Sequence, residues 1–399
     1  QVTLSQKVLD VASVSVSNGA ALAITESSGS VTGLTVADAT MSAHSSPELA
    51  LSGAAALSGE AAQVELSEVV LALTSLTAEG GAAVSITACT GSIVDLTATD
   101  ASATLDESPL TVSGSVELSG ALAQVVLTQK VLDAASVSVA DGADLTVAAC
   151  SGNTTLSVDG GSLTVGSSPS LALLGDIEVK KPATVVLAQI SFEPGASLAV
   201  SEKRGGVDVT ISEATGTVDL GVVTGASLTV DASPELHLSG NLELGGADAR
   251  ANFAGAAFEQ LAITATSGSA LAVSGAKGTI ALSLAEGSSC EFASSKDLVL
   301  SGTAALASEA VVGKFANLAL SLSLSAASGS SATFDSCSGS VAIPTVANAA
   351  MTVRASPLLA LGGACDVSGE SAQVDWSDAE LGFSSLAVGD SATVSMSKI

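Results

Sequence analysis

The feature that most constrains this chain is a repeat of about 61 residues that runs from Gln1 to Ile399. Self-similarity at a fixed period indicates a repeat architecture, in which each unit packs on its neighbours. The repeat divides the chain into seven units, the last of them partial: residues 1–61, 62–122, 123–182, 183–248, 249–310, 311–371 and 372–399.

Two positions of the repeat are large and apolar in every copy, which predicts that both face a core. The fifth position is occupied by Leu4, Leu66, Leu127, Leu187, Phe253, Phe315 and Trp376. The tenth position is occupied by Leu9, Leu71, Leu132, Phe192, Phe258, Leu320 and Leu381.

Two further columns mark turns. A glycine column comprises Gly29, Gly91, Gly152, Gly216, Gly278 and Gly339. Glycine followed by serine or threonine indicates a positive φ angle or a close approach of backbone. A Ser-Pro column contains Pro47, Pro109, Pro169, Pro234 and Pro357, with Lys296 replacing proline once.

Within each unit, apolar residues alternate with period two, which is typical of β-strands. In the third unit such pairs include Val125/Leu127, Leu145/Val147 and Leu163/Val165, whose first members lie about 20 residues apart. These strands are too closely spaced for βαβ crossovers, which need a dozen or more residues, and they lack hairpin turn residues. We therefore predict an all-β fold, a parallel β-solenoid of about 20 coils with three short strands per coil.

With this coil length and alternation, the chain resembles the right-handed parallel β-helix group, which includes pectate-lyase-like enzymes and adhesin passenger domains. The resemblance covers the whole chain and implies a fold but no activity, because no family motif is present. The pattern leaves the handedness of the solenoid open, although parallel crossovers favour the right-handed form.

We expect residues 1–399 to form one continuous solenoid, because no Pro-rich or charge-rich linker separates the units. At roughly 4.8 Å per coil, about 20 coils would form a rod roughly 95 Å long. The net charge is −28 with 12 basic residues. This charge argues against nucleic acid and anionic membranes as partners and favours solubility through self-repulsion. Binding of multivalent cations is the alternative, although the Ca²⁺ motif of β-rolls is absent.

The basic residues cluster once, at Lys180, Lys181, Lys203 and Arg204 in the least regular unit. This cluster is either a set of solvated loop charges or a positive patch that docks an acidic neighbour. The five cysteines are Cys89, Cys150, Cys290, Cys337 and Cys365. We expect all five to be buried free thiols, since equivalent positions three coils apart lie roughly 14 Å from each other, too far for a disulfide.

No arrangement of residues predicts catalysis, and we expect no catalytic, cofactor-binding or metal-binding residues. His44 and His237 are predicted to lie too far apart to share a site. A polysaccharide-cleaving enzyme would need paired carboxylates and basic or aromatic residues to hold sugars. This chain has three arginines, one tryptophan and no tyrosine. Ice binding is also disfavoured, because the outward positions mix Ser, Thr, Glu, Asp and Lys without a threonine ladder.

The sequence favours a structural protein, outside the cell or on its surface, that forms a rigid acidic rod as the repeat subunit of a fibre or filament. The alternatives are an adhesin-like passenger or stalk and, less favoured, a polysaccharide-active enzyme. Neither end resembles a capping segment, which indicates either a trimmed piece of a longer chain or ends covered by another chain. We expect self-association, end to end or side by side, and possible partners include other surface proteins and glycans. No transmembrane segment is predicted.

Overall fold

The structure is a computed structural model, and it describes residues 1–201, 206–285, 287–306, 311–389 and 391–398. In these residues the chain forms 42 β-strands and no helix, and the strand pairs run parallel. The strands wind into a parallel β-solenoid of about 19 turns with about 20 residues per turn. The predicted all-β solenoid fold is therefore confirmed.

The internal contacts divide the chain into two compact units, Gln1–Ala196 and Ser197–Ile399. Continuity of one solenoid over residues 1–399 therefore stays a prediction. The strands that begin in the first unit are β1 (Val2–Ser5), β2 (Val8–Val11), β3 (Val14–Ser17), β4 (Ala21–Thr25), β5 (Ser28–Val31), β6 (Leu34–Ala37), β7 (Thr40–His44), β8 (Glu48–Ser58), β9 (Gln63–Ser67), β10 (Val70–Glu79), β11 (Ala83–Thr87), β12 (Thr90–Thr99), β13 (Ser102–Asp106), β14 (Leu110–Val112), β15 (Ser115–Ser119), β16 (Gln124–Thr128), β17 (Val131–Leu132), β18 (Ser136–Ala148), β19 (Ser151–Thr154), β20 (Leu156–Gly166), β21 (Ser170–Leu173), β22 (Asp176–Ala188) and β23 (Ser191–Ser201).

The second unit continues the same pattern. Its strands are β24 (Val207–Ser212), β25 (Thr215–Thr224), β26 (Ser227–Asp231), β27 (Glu235–Gly245), β28 (Arg250–Ala254), β29 (Ala257–Thr266), β30 (Ala270–Ser274), β31 (Lys277–Leu284), β32 (Ser289–Ala293), β33 (Asp297–Leu306), β34 (Val312–Ala316), β35 (Ala319–Ala327), β36 (Ser331–Asp335), β37 (Ser338–Ala347), β38 (Ala350–Arg354), β39 (Leu358–Ser368), β40 (Gln373–Ser377), β41 (Glu380–Val388) and β42 (Thr393–Ser397).

Each turn has three faces, which we name A, B and C after the first turn, where β1, β2 and β3 occupy them in that order. Each strand pairs with the equivalent strand of the next turn, as β1 does with β4 on face A and β3 with β6 on face C. In most later turns faces B and C are formed by one long strand, such as β10, whose register to β8 shifts between Leu73 and Ser75. An irregularity of this kind bends a strand and lets it serve two faces.

The two predicted core columns point inward in both units. Leu66, Leu127 and Trp376 are at most 3% exposed, and Leu71 and Leu132 are 1% exposed. The columns are only half-buried in the terminal turns, at Leu4, Leu9 and Leu381. A turn at either end of the described chain has no neighbour on one side, so its inward side chains are less covered.

The second unit contains an aromatic ladder on the inward side of face A. The rings of Phe292 and Phe315 stack with centroids 5.9 Å apart, and those of Phe315 and Phe334 stack 4.9 Å apart. In-register parallel strands place like side chains over one another at about one strand spacing. Gly313 compensates for this bulk, because a Cβ atom at Gly313 would lie 3.1 Å from the Phe315 ring.

The glycine column lies directly over the tenth-position column of the preceding turn. Gly91 has a φ of 111°, and a Cβ atom there would lie 1.9 Å from the main-chain oxygen of Leu71. A Cβ atom at Gly29 or Gly278 would likewise lie 1.9 Å from the main-chain oxygen of Leu9 or Phe258, respectively. The predicted turn glycines therefore need both the positive φ and the missing Cβ.

We expect Gly91→Ala to lower the free energy of unfolding by about 3 kcal/mol, because the new methyl group must displace the backbone of Leu71 and strain a positive φ. Denaturant unfolding followed by circular dichroism measures the change. Gly166→Ala is the matched control, since a Cβ at Gly166 meets no atom within 4 Å. Its effect should stay within about 0.5 kcal/mol. Equal effects of the two substitutions would contradict the close approach.

Candidate functional site

The buried polar side chains of this chain concentrate at the corner between faces A and B, which we call the AB corner. In most of the described turns a residue in the left-handed conformation precedes a buried side chain at this corner. Ala88, for example, has a φ of 53° and is followed by the buried Cys89. A non-glycine residue in this conformation costs roughly 1 kcal/mol, so other interactions must fix the corner.

A serine hydroxyl links successive AB corners in six of the repeats. The Ser108 hydroxyl accepts a hydrogen bond from the backbone N–H of Cys89, one turn earlier, at 2.9 Å, and donates to the carbonyl of Asp106 at 2.7 Å. The other serines that accept from the preceding corner are Ser46, Ser168, Ser233, Ser295 and Ser356, whose donors are Ser27, Cys150, Ala214, Ala276 and Cys337, at 3.0 to 3.2 Å.

These serines precede the prolines of the Ser-Pro column, or Lys296 in one copy. The Ser-Pro column is evident in the sequence, but its link to the residues two positions before the column glycines was not predicted. The available signal was their constant separation of 18 or 19 residues, which is close to one turn. Each of these serines is therefore a buried structural group whose hydroxyl is hydrogen-bonded to backbone groups, and we do not interpret it as a nucleophile.

All five cysteines are buried free thiols, as predicted. Burial raises the pKa of the Cys290 thiol to about 12 and that of the Cys365 thiol to about 11, with a further contribution at Cys365 from the charge of Asp366. Burial also raises the pKa of the Cys89, Cys150 and Cys337 thiols. A raised pKa keeps each thiol protonated and therefore weakly nucleophilic.

Three of the thiols also make a hydrogen bond to a backbone carbonyl. The Sγ atom of Cys337 donates to the carbonyl of Phe315 at 3.2 Å, and Cys89 and Cys150 make the equivalent contacts to Leu66 and Leu127 at 3.5 and 3.6 Å. A thiol at this position thus bridges to the preceding turn. Ser27, which occupies the same column, donates to the carbonyl of Thr25 at 2.9 Å.

Lys130 is the one charged side chain buried at the AB corner within the described residues, and sequence reasoning missed it. It is 2% exposed, and its Nζ atom donates to the carbonyl oxygen of Ser108 at 2.6 Å. Burial lowers the pKa of the Lys130 amine, while the nearby Cys150 and Asp106 oppose that shift. No alternation pattern identifies such a residue, because a lysine between turns usually lies in solvent.

Two of the four residues of the predicted basic cluster, Lys180 and Lys181, belong to the described part of the chain. Lys180 pairs with Glu178, and the Nζ atom of Lys181 lies 3.0 Å from Asp159 and 3.6 Å from Asp141. The hydrogen bond to Asp159 raises the pKa of Lys181. Lys203 and Arg204 lie outside the described residues, so a docking patch formed by the four basic residues stays a prediction.

The histidines lie at the surface, each beside a glutamate. The Nε2 atom of His44 is 3.8 Å from Glu65, and the Nδ1 atom of His237 is 3.8 Å from Glu259. His44 belongs to the first unit and His237 to the second. Among the described residues, no group of three or more His, Cys, Asp or Glu side chains could hold a metal ion.

No protein-family model, curated protein or solved structure matches this chain. The resemblance to the parallel β-helix group is therefore one of fold, as the solenoid itself shows. In the part of the chain that the structure describes, no helix is long and apolar enough to cross a membrane.

We expect Lys130→Met to raise the free energy of unfolding at pH 7 by about 1 to 3 kcal/mol, because it replaces a buried ammonium group that has one acceptor with an apolar chain of similar length. The folded pKa of Lys130 lies below its ordinary value of 10.5, so the wild-type protein should gain stability as the pH rises from the folded pKa towards 10.5. The variant should lack this gain.

Urea unfolding between pH 7 and pH 10.5 measures both effects. Lys7→Met is the control, since Lys7 occupies the same column in the first turn but is exposed. Its effect should stay within about 0.5 kcal/mol. Destabilisation by Lys130→Met would show instead that the buried ammonium group is a net stabilising donor.

Proposed function

We propose that this chain is a structural, non-catalytic protein that serves as the repeat subunit of a fibre or filament, outside the cell or on its surface. The observation that carries the proposal is the corner hydrogen bond that a backbone N–H donates to a serine hydroxyl of the next turn, which recurs in six repeats with the same geometry. Buried groups that recur in this way hold successive turns together. A catalytic or binding site, in contrast, needs residues that differ from one turn to the next.

The charge distribution is compatible with such a role. The chain carries 40 acidic and 12 basic residues. Among the described residues, Lys130 is the one buried Asp, Glu, Lys or Arg. Surface carboxylates keep a long protein soluble through mutual repulsion. An adhesin-like stalk would use the same properties and is the alternative structural role.

The terminal turns of the described chain are the surfaces that we propose for end-to-end association. Their inward apolar side chains are exposed: Val2 by 55% and Val11 by 39% at one end, and Leu386 by 37%, Val388 by 50% and Met396 by 40% at the other. The outer edges of these turns also present main-chain groups to which another strand can add. Further turns, from this chain or from another copy, would cover both.

We expect the isolated chain to form filaments that lengthen as its concentration rises, because both open ends gain main-chain pairing and apolar contact. Light scattering and electron microscopy measure the mass and the shape of the assemblies. Val2→Lys combined with Val388→Lys should keep the chain monomeric, since each change places a charge at an open end.

Val222→Lys is the matched control, because Val222 is 38% exposed but lies on face C within the second unit. This variant should assemble like the wild-type chain. A wild-type chain that keeps the mass of a single copy, 38.3 kDa, at every concentration would contradict end-to-end association.

A further inference from the structure

Face A of the second unit contains a groove of about 490 Å³ that no role described above explains. Its origin lies in β30, whose first two outward residues, Ala270 and Ala272, are small. In the turn before, Arg250 pairs in register with Ala270, and Asn252 pairs with Ala272. The long side chains of Arg250 and Asn252 therefore lie beside the short alanine side chains of β30, and β30 forms the floor of the groove.

The other side of the groove is formed by the next two turns. Ala272 is followed in register by Glu291 and then by Lys314, whose Nζ atom lies 3.4 Å from the Glu291 carboxylate. Both of these side chains are more than half exposed. An ion pair with this exposure is worth little, so Lys314 can exchange its partner for a carboxylate from a ligand.

The Arg250 side chain makes no ion pair or hydrogen bond with any residue that the structure describes, and the Asn252 amide is equally unpaired. Arg250 therefore presents a planar fork of donors to the groove, and such a fork binds carboxylates through two parallel hydrogen bonds. Among the described cations that lack an ion pair, Arg250 is the one that lines this groove.

A second groove shows that the cations do not follow from the shape alone. Ala21 and Ala23 of β4 form the floor of a smaller groove of about 240 Å³ on face A of the first unit. Its walls carry Gln1, Gln63 and Glu65 and no lysine or arginine. Both rims thus carry one glutamate, Glu65 or Glu291, and the groove of the second unit adds Arg250 and Lys314.

The two cations are spaced for an extended ligand that carries two charges. β28 and β34 are three strand steps apart, and Lys314 lies two residues further along its strand than the position in register with Arg250, so the two backbones are roughly 16 Å apart. The Lys314 side chain extends back towards Glu291, which shortens the distance that a ligand has to span. An extended peptide advances about 3.3 Å per residue, so carboxylates four residues apart are separated by about 13 Å. Adjacent residues advance only about 3.3 Å, which is far less than the separation of the two cations.

We propose that this groove binds an extended acidic peptide segment that runs across the strands, with one carboxylate on Arg250 and a second, four residues away, on Lys314. The Asn252 amide donates to the peptide between them, and the alanine floor contacts its backbone. This site is independent of the proposed structural role, since it uses a sheet face and neither open end.

Fluorescence anisotropy with two labelled peptides at low ionic strength tests the proposal. The spaced peptide is Glu-Ser-Thr-Ser-Glu, and its isomer Glu-Glu-Ser-Thr-Ser has the same composition and charge. Both are amidated at the C-terminus, so that the side chains supply the two carboxylates. We expect the spaced peptide to bind about tenfold more tightly, because only it reaches both cations. Non-specific attraction is minimised, since the whole chain repels an acidic peptide.

Arg250→Ala should weaken binding of the spaced peptide about tenfold, and so should Ala272→Leu, which fills the groove without changing any charge. Lys277→Ala is the matched control, because Lys277 is an exposed cation on face B, and this variant should bind like the wild type. Equal affinity for the two peptides, or an Arg250→Ala variant that binds as tightly as the wild type, would overturn the proposal.

Discussion

In-register stacking of parallel strands is the constraint on which the other features of this molecule depend. A turn of about 20 residues places each residue over its equivalent in the turn before, at about 4.8 Å. Whatever a position needs in one turn must therefore suit its neighbours above and below. The Gly91 approach to Leu71, the Ser108 bond to Cys89 and the Phe315 ring stack each satisfy this condition between two successive turns.

The same constraint shapes the surface. Ion pairs form between neighbouring turns, as between Lys314 and Glu291 or between Arg354 and Asp335, because outward side chains in register are close to each other. A turn with alanine at its outward positions leaves a gap between longer side chains. The groove at Ala270 and Ala272 therefore follows from two small residues on an otherwise regular face.

The sequence predicted the fold well, because inward positions repeat with both the two-residue and the 61-residue period. Leu127 was identified as a core residue from its column alone. The roles of Ser108 and Lys130 were not predicted. A serine or lysine is normally expected at the surface, and only the exact alignment of successive turns shows that these two side chains lie at a buried corner. The groove was missed for the same reason: Arg250 and Lys314 lie 64 residues apart in the sequence and meet only through the register of four strands.

The claim that the repeat columns serve turn stacking is tested most directly by residue-resolved hydrogen exchange at the AB corners. The amides of Cys89, Ala214 and Cys337 donate to a serine one turn later. They should exchange as slowly as the amides of the adjoining strands, because their bonds open only when two turns separate. Exchange of these amides as fast as in unprotected turns, with the strands still protected, would show that the corner serines do not hold the turns together and would contradict the account.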